Sequence, residues 1–466
     1  MAVDTLSRAP ALTSGVRERR VLPVAAGAAF LALLDTTVAS LAVADVRSDF
    51  AGASVGGASW LITIYAVTFA ALLAPAGRVA DVVGRRTLML AGVGLFTAMS
   101  LAAALAPSLG LLLAARAVQG AGAAAMIPAS LAVVLADTPP ERRAAAIGAW
   151  SAAGALAAAA GPAIGGVLVD TLGWRSLFLI NIPFGLAIVA GTLAIPHSRG
   201  APERLPDPVG TVLLGAGVGA LALGTAQGPD WGWGSPESIL CLGGGLLAVL
   251  AALIRSTRHA TPAIETGLWR TRSFALANLA SLLYGAALFQ WILVGTLFLI
   301  GAWGYSPLEA GLAMTPGAIV ASVVALRAGP VVARRGPRAV IVAGALVLGT
   351  AGLLCVLALP ATPSLLTFWL PVGVLIGIGT GAITTGVSTA AALSVAPPRF
   401  APAVGLNQTG RQVGGALGVA ALAALLDGRI DAGSGVGPYA DVYLFCTIAT
   451  FAVALAALWL VLEKKT

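Results

Sequence analysis

Fourteen mostly apolar stretches follow one another along the chain, at 22–44, 58–77, 88–106, 110–136, 144–169, 177–196, 208–226, 238–255, 274–301, 308–329, 339–359, 365–393, 403–426 and 440–462. A helix needs about 20 such residues to cross the ~30 Å hydrocarbon core of a bilayer. No water-soluble core could hide this much apolar surface. In lipid every backbone N–H and C=O must be satisfied within the segment, so the runs must be helical. Composition agrees, with 58% of the 466 residues hydrophobic and 10% charged, against about 25% charged in soluble domains. The sequence therefore predicts an all-α integral membrane protein with fourteen transmembrane helices.

The joints between the runs give an orientation. With the N-terminus in the cytoplasm, 22 of the 27 Lys and Arg fall in inner segments, among them Arg78, Arg85, Arg86, Arg142, Arg143, Arg334, Arg335 and Arg338. Arg47, Arg175 and Arg429 fall outside, and Arg116 and Arg411 lie within spans. Carboxylates divide evenly, nine and nine, with one inside a span. That is the positive-inside bias, so both termini are expected in the cytoplasm. The net charge of +8 then reports topology, and no nucleic-acid partner is expected. The first run contains Ala42-Val43-Ala44, which mimics a signal-peptide cleavage site. It is too long for an h-region and thirteen further runs follow, so it reads as span one.

Several chemistries are excluded. Lysine occurs only at Lys464 and Lys465, which removes a Walker A loop. His197 and His259 lie in joints, and Cys241, Cys355 and Cys446 are far apart in apolar runs. No metal site, cofactor or disulfide framework can be assembled from these, and no catalytic set for an enzyme.

Gly77–Arg86 joins spans two and three, and a weaker echo, Gly329–Arg338, joins spans ten and eleven. The echo implies two related six-helix bundles, 22–196 and 274–462, around a central site, an arrangement typical of secondary transporters. Between them, 197–273 supplies a linker, 197–207, and two additional helices. Residues 1–21 and 463–466 are expected to be cytoplasmic tails.

Asp35 is the one carboxylate inside a span, about halfway through the first. An ionised Asp there must face a cavity, find a cation or take up a proton. Arg116 in span four is the natural partner: counted from the outer ends, the two differ in depth by only about 3 Å at ~1.5 Å per residue. The pair is either a proton-sensitive switch or a static ion pair. Span five carries Gly154, Gly161, Pro162, Gly165 and Gly166, small residues that allow close helix approach and a proline that kinks, for packing or for gating. In span thirteen Asn407 and Arg411 share a face, near its cytoplasmic end, where they line a substrate path or snorkel. Tyr284, Leu288 and Trp291 form a stripe in span nine with Gln290 nearby, belonging either to the core or to a pocket. With Thr36 and Gln119 beside the charged pair, these are the candidates to line a substrate cavity.

Together these residues resemble the major facilitator superfamily, in its fourteen-span drug:proton antiporter branch. Leu34-Asp35-Thr36-Thr37-Val38 is similar to that branch's first-helix motif, with Ser40 and Ala44 where the family commonly has Asn and Pro. Gly77–Arg86 resembles the superfamily's loop-two motif, Leu113–Gly120 its fourth-helix motif, and Gly154–Gly166 its fifth-helix antiporter motif. The stretches Gly173–Pro183, Trp231–Pro236 and Ser306–Gly311 are similar to the fourteen-span branch. The resemblance implies proton-driven export of amphipathic compounds by alternating access. It makes Asp35 and Arg116 the coupling pair, and Asp81 and Arg85, with the adjoining Arg86, a cytoplasmic latch closely packed at Gly77 and Gly84. Relatives with extra acids in spans ten and thirteen recognise dications; none stands here, so neutral, zwitterionic or monovalent compounds fit better.

The expected function is thus a multidrug or antibiotic exporter of a bacterial cell membrane. Its partners would be a small drug-like molecule, protons and lipid, it would act as a monomer, and a proton gradient would be its energy source. One rival is an exporter dedicated to a single endogenous metabolite or self-made antibiotic. A membrane sensor is the other, though the longest joint is only about twenty residues, short for a signalling domain.

Overall fold

The computed structural model describes residues 14–50, 55–195, 205–426 and 435–460. The tail residues 1–13 and 461–466, most of the linker 197–207 with its His197, and Arg429 lie outside them. Helix α1 (Ser14–Val38) runs through a 3-10 turn, Ala39–Ala42, into α2 (Val43–Asp49). Next come α3 (Val55–Val83), α4 (Arg85–Ala104), α5 (Leu109–Asp137), α6 (Arg143–Leu172), the short α7 (Ser176–Leu179) and α8 (Asn181–Leu193). Then α9 (Pro208–Trp231) and α10 (Pro236–Arg258) form a hairpin. The chain continues with α11 (Arg272–Gly301), α12 (Pro307–Ala358), α13 (Leu370–Leu393), α14 (Phe400–Leu426) and α15 (Gly437–Leu458).

Thirteen helical segments among the described residues are long and apolar enough to cross a membrane, so this is a multi-pass membrane protein. One of them, α12, has 52 residues. At ~1.5 Å per residue it would be ~78 Å long, far more than one bilayer. It breaks at Gly336, whose φ of 79° and ψ of 160° are not helical, so spans ten and eleven both lie within it. Gly84, with φ 93°, makes the equivalent break between α3 and α4. Both positions of the internal echo thus need a backbone conformation that only glycine adopts without strain. Helix starts are capped where the sequence allows: Ser108 accepts from Leu111, Ser235 from Ser238, and Ser306 with Glu309 forms a capping box.

Burial separates two bodies. One core is drawn wholly from residues between Ala277 and Leu460. A second is drawn wholly from residues between Leu34 and Phe178, and a third joins α1, α3, α4, α5, α6 and α8 to Ala392, Phe400, Ala401 and Val404. The bundles meet along two seams, α3 against α14 and α6 against α12. Both seams are tight near the arginine-rich joints, called here the basic end. A Cβ on Gly77 would lie 2.6 Å from the Ala401 carbonyl oxygen, and one on Gly329 would lie 2.5 Å from that of Ala144. The echo therefore repeats in three dimensions: each first glycine lets its helix touch the backbone of the other bundle.

The α9–α10 hairpin packs through α9 on both α3 and α14, while α10 packs on α9. Gly217 and Gly245 face each other at the crossing, where each Cβ would lie 2.9 Å from the other's carbonyl oxygen. α10 leaves Leu240, Leu247 and Ile254 exposed, as a lipid-facing helix does. Asp207 ties the hairpin together by accepting from Gly210 N at 3.0 Å and from both Arg255 Nε and, at 2.9 Å, Arg255 Nη2. The bonds from Arg255 hold the Asp207 carboxyl down at about 2.

Candidate functional site

Asp35 and Arg116, 81 positions apart in sequence, meet inside the N-terminal bundle with no exposed surface on either. Arg116 Nη1 donates to Asp35 Oδ2 at 2.5 Å and to Gln119 Oε1 at 2.7 Å. The other carboxylate oxygen accepts from Gln119 Nε2 at 3.1 Å and Asn181 Nδ2 at 2.8 Å. Ser100 Oγ accepts from both amides, at 2.7 and 3.3 Å, and donates to the Phe96 carbonyl. Arg116 Nε donates to the Leu61 carbonyl, and the guanidinium lies 4.3 Å from the Tyr65 ring centre and 5.5 Å from that of Phe178. Every side chain bonded to Asp35 is a donor, which suits a charged carboxylate. A proton on either oxygen would put donor against donor, so protonation must rearrange the cluster.

Six helices contribute: α1 brings Asp35, α3 Tyr65, α4 Ser100, α5 Arg116 and Gln119, α7 Phe178, and α8 Asn181. Ser100 and Tyr65 lie outside every motif, and Asn181 lies in the Gly173–Pro183 stretch, which assigns it no role. The signal for them is a polar side chain in an apolar run, which in lipid must find a partner. Gln119 belongs to this closed network and has no exposed surface to offer a cavity. Thr36, half-buried, donates to the Ala32 carbonyl of its own helix at 2.9 Å.

The glycines of α6 hold α1 in place around the acid. A Cβ on Gly154 would strike Leu33, on Gly161 it would strike Thr37 Oγ1, and on Gly165 it would strike Leu41. Pro162 and Gly166 face the other way, toward Gly311 and Leu308 of α12. Between them the five residues join the Asp35 helix to the opposite bundle.

At the basic end, Arg85 pairs with Asp81 at 3.3 Å and donates to the carbonyls of Pro397 and Pro398, at 2.7 and 2.9 Å, across the seam. Arg86 donates to the carbonyls of Thr192 and Leu193 at 2.8 and 2.7 Å, capping α8 within its own bundle. Two residues outside the motif join the bridge. Glu265, after the inserted hairpin, pairs with Arg78 of α3 and, at 3.2 Å, with Arg399 before α14.

The stripe in α11 is core and not an open pocket wall. Trp291 is 4% exposed and packs 5.1 Å from the Tyr443 ring centre. Tyr284 shares a hydrogen bond with Thr384 Oγ1 at 2.7 Å, and Gln290 donates to the Gly418 carbonyl. The reason is placement: α11 is packed on α13, α14 and α15, so its apolar stripe meets helices. Arg411 does not snorkel. It is 9% exposed, three turns into α14, and its Nη2 donates to Ser388 Oγ at 3.0 Å. Asn407 is 2% exposed and lines a narrow crevice with Ser388, Val404 and Gln408 of its own bundle and Leu131 and Trp150 of the other.

Comparison with known proteins agrees with this architecture. A profile of the Major Facilitator Superfamily matches residues 25–303 and again 279–466. A cephamycin export protein of Amycolatopsis lactamdurans is 36% identical over 449 residues, covering 94% of this chain and 91% of that protein. A methylenomycin A resistance protein of Streptomyces coelicolor is 34% identical over 414 residues, 86% of this chain and 84% of that one. The crystal structure of the human organic anion transporter MFSD10 matches with a TM-score of 0.63 at 16% identity, over 94% of this chain and 99% of that one, a likeness of fold. With both bundles matched by the profile and relatives aligned over most of its length, the chain belongs to the Major Facilitator Superfamily.

Proposed function

We propose that this protein exports amphipathic antibiotics or drugs across a bacterial cell membrane in exchange for protons, by alternating access between its two bundles. The basic end faces the cytoplasm in this reading, which the arginine distribution supports. The relatives named for cephamycin export and methylenomycin A resistance support the direction and the class of cargo. The observation that carries the coupling is the wholly buried Asp35, bonded to donors from α5 and α8. A proton arriving from outside breaks those bonds and frees Arg116. Its release toward the cytoplasm restores them. Each proton moving inward brings ~2.3 kcal/mol per 100 mV of membrane potential, before any pH difference is added. Asp81, Arg85 and the glycines at 77 and 84 hold the basic end shut while the other side is open. No cofactor is needed, and the monomer is the working unit.

The test is drug-induced proton release and drug efflux in proteoliposomes under an imposed pH gradient. Wild-type protein exchanges the two, and Asp35→Asn inserts and folds but does neither. Efflux at the wild-type rate by Asp35→Asn would sink the coupling role. The names of these two relatives specify cephamycin and methylenomycin A, which favours a second reading, export of a single compound. A panel of chemically unrelated drugs separates the two: several are exchanged in one case and one in the other.

A further inference from the structure

Arg411 is, like Arg116, a buried cation deep within a span, and it lacks what Arg116 has. It sits three turns into α14, about 16 Å along the axis from Phe400. Apart from its bond to Ser388, its guanidinium lies 5.7 Å from the Tyr284 ring centre and its buried Nε has no hydrogen-bond partner. Among the described residues no carboxylate pairs with it. One turn earlier, the buried Nδ2 of Asn407 also has no partner. Asn407 and Ser388 both line the crevice between the bundles, which Leu131 and Trp150 close so tightly that no water molecule fits. A guanidinium buried without counter-charge is strongly unfavourable, and unpartnered buried donors in a native fold call for an acceptor.

We infer that Arg411, Asn407 and Ser388 form a recognition site for the carboxylate of an amphipathic exported molecule. The chemistry is a planar donor fork flanked by an amide and a hydroxyl, which matches a carboxylate in geometry and in charge. The charges deep within the described spans agree: Asp35 and Arg116 neutralise each other, and the buried Arg411 leaves a positive charge for the cargo to cancel. Binding belongs to the conformation in which α5 and α6 part from α13 and α14 at the basic end. When the seam closes, the crevice no longer has room for the group. This assignment rests on the export reading and narrows its cargo to monoanions and zwitterions.

The experiment uses full-length protein in phosphatidylcholine nanodiscs and two matched pairs of probes: pyrenebutyrate with its amide, and benzylpenicillin with its methyl ester. Both acids are expected to bind wild-type protein about tenfold or more tightly than their neutral mates. In Arg411→Gln that preference disappears, and Arg411→Lys, which keeps the charge but loses the fork, restores part of it. The absence of any preference for the acids in wild type, including failure of either acid to bind, overturns the proposal. So does a preference that survives in folded Arg411→Gln. Should Arg411→Gln not fold, Asn407→Ala, which keeps the guanidinium, must weaken the acids and leave the neutral mates unchanged; equal effects on both overturn it. Adding phosphatidylglycerol to the nanodiscs separates a lipid phosphate from the cargo. If it competes with the acids in wild type and not in Arg411→Gln, the site belongs to lipid and the cargo assignment falls. Export is measured separately, as efflux of the acids and of ethidium from proteoliposomes. Acid preference without efflux would leave the site standing and overturn the export reading.

Discussion

Removing either member of a buried pair leaves the other as an unpaired charge in lipid, which is costlier than removing both. Arg116→Ala would strand Asp35 with only the amides of Gln119 and Asn181 as donors. We expect it to lower stability by about 3–5 kcal/mol. Arg116→Ala with Asp35→Ala should recover part of that loss, as thermal unfolding in detergent would show. If the double variant is no more stable than Arg116→Ala, the pair is not a coupled unit. The meeting of Asp35 and Arg116 was legible in the sequence because depth in a bilayer follows from counting residues along a helix. The rest of the cluster was not, because a lone Ser100 or Asn181 shows only that a partner is needed, never which helix brings it. Trp291 illustrates the converse: a stripe at helical spacing has the same composition whether it faces a pocket or a neighbouring helix, and only the packing of α11 decides.

At the level of helices, the predicted runs became the observed elements because lipid leaves the backbone no other option. The exceptions are informative. Spans ten and eleven fuse into α12 because their joint, Gly329–Arg338, is helical on both sides of a single turning glycine. Arg411 looked like an end-of-helix residue because α14 begins at Phe400, earlier than its apolar run. The close approach at Gly77 gives an element-scale prediction. Gly77→Val would push α3 from the Ala401 backbone, at about 1–3 kcal/mol for overpacking, and so disfavour the state closed at the basic end. A cysteine placed at Gln408, in a background with Cys241→Ser, should then react faster with a water-soluble maleimide. Unchanged labelling would mean that the α3–α14 contact does not control access to the crevice.

The inserted hairpin has its own pH signature. Asp207 has its carboxyl depressed to about 2, so its contribution is complete above about pH 4, the ordinary carboxylate range. That contribution is lost as pH falls through about 2. The gap in unfolding temperature between wild type and Asp207→Asn should therefore stay constant from about pH 7 to about pH 4 and close below it. A gap that closes near pH 6 would place the titration elsewhere. It follows that any dependence of transport on pH near neutrality does not come from the Asp207 carboxyl.

Over the whole molecule, alternation requires at least one seam to part. Ser322 of α12 donates to the Ala152 carbonyl of α6 at 2.8 Å, so cysteines at these two positions should bridge the bundles on oxidation. Oxidised protein should then stop transporting and recover with reductant. Continued transport by the bridged form would show that the α6–α12 seam stays shut through the cycle. The two seams are not equivalent, though the bundles are related. Among the described residues, only the α3–α14 side carries α9, which touches both bundles at once, and α10 lies outside that. A compound dissolved in the membrane thus finds one flank walled over and the other bare. The hairpin has given a two-fold design a front and a back, and any sideways entrance belongs to the front.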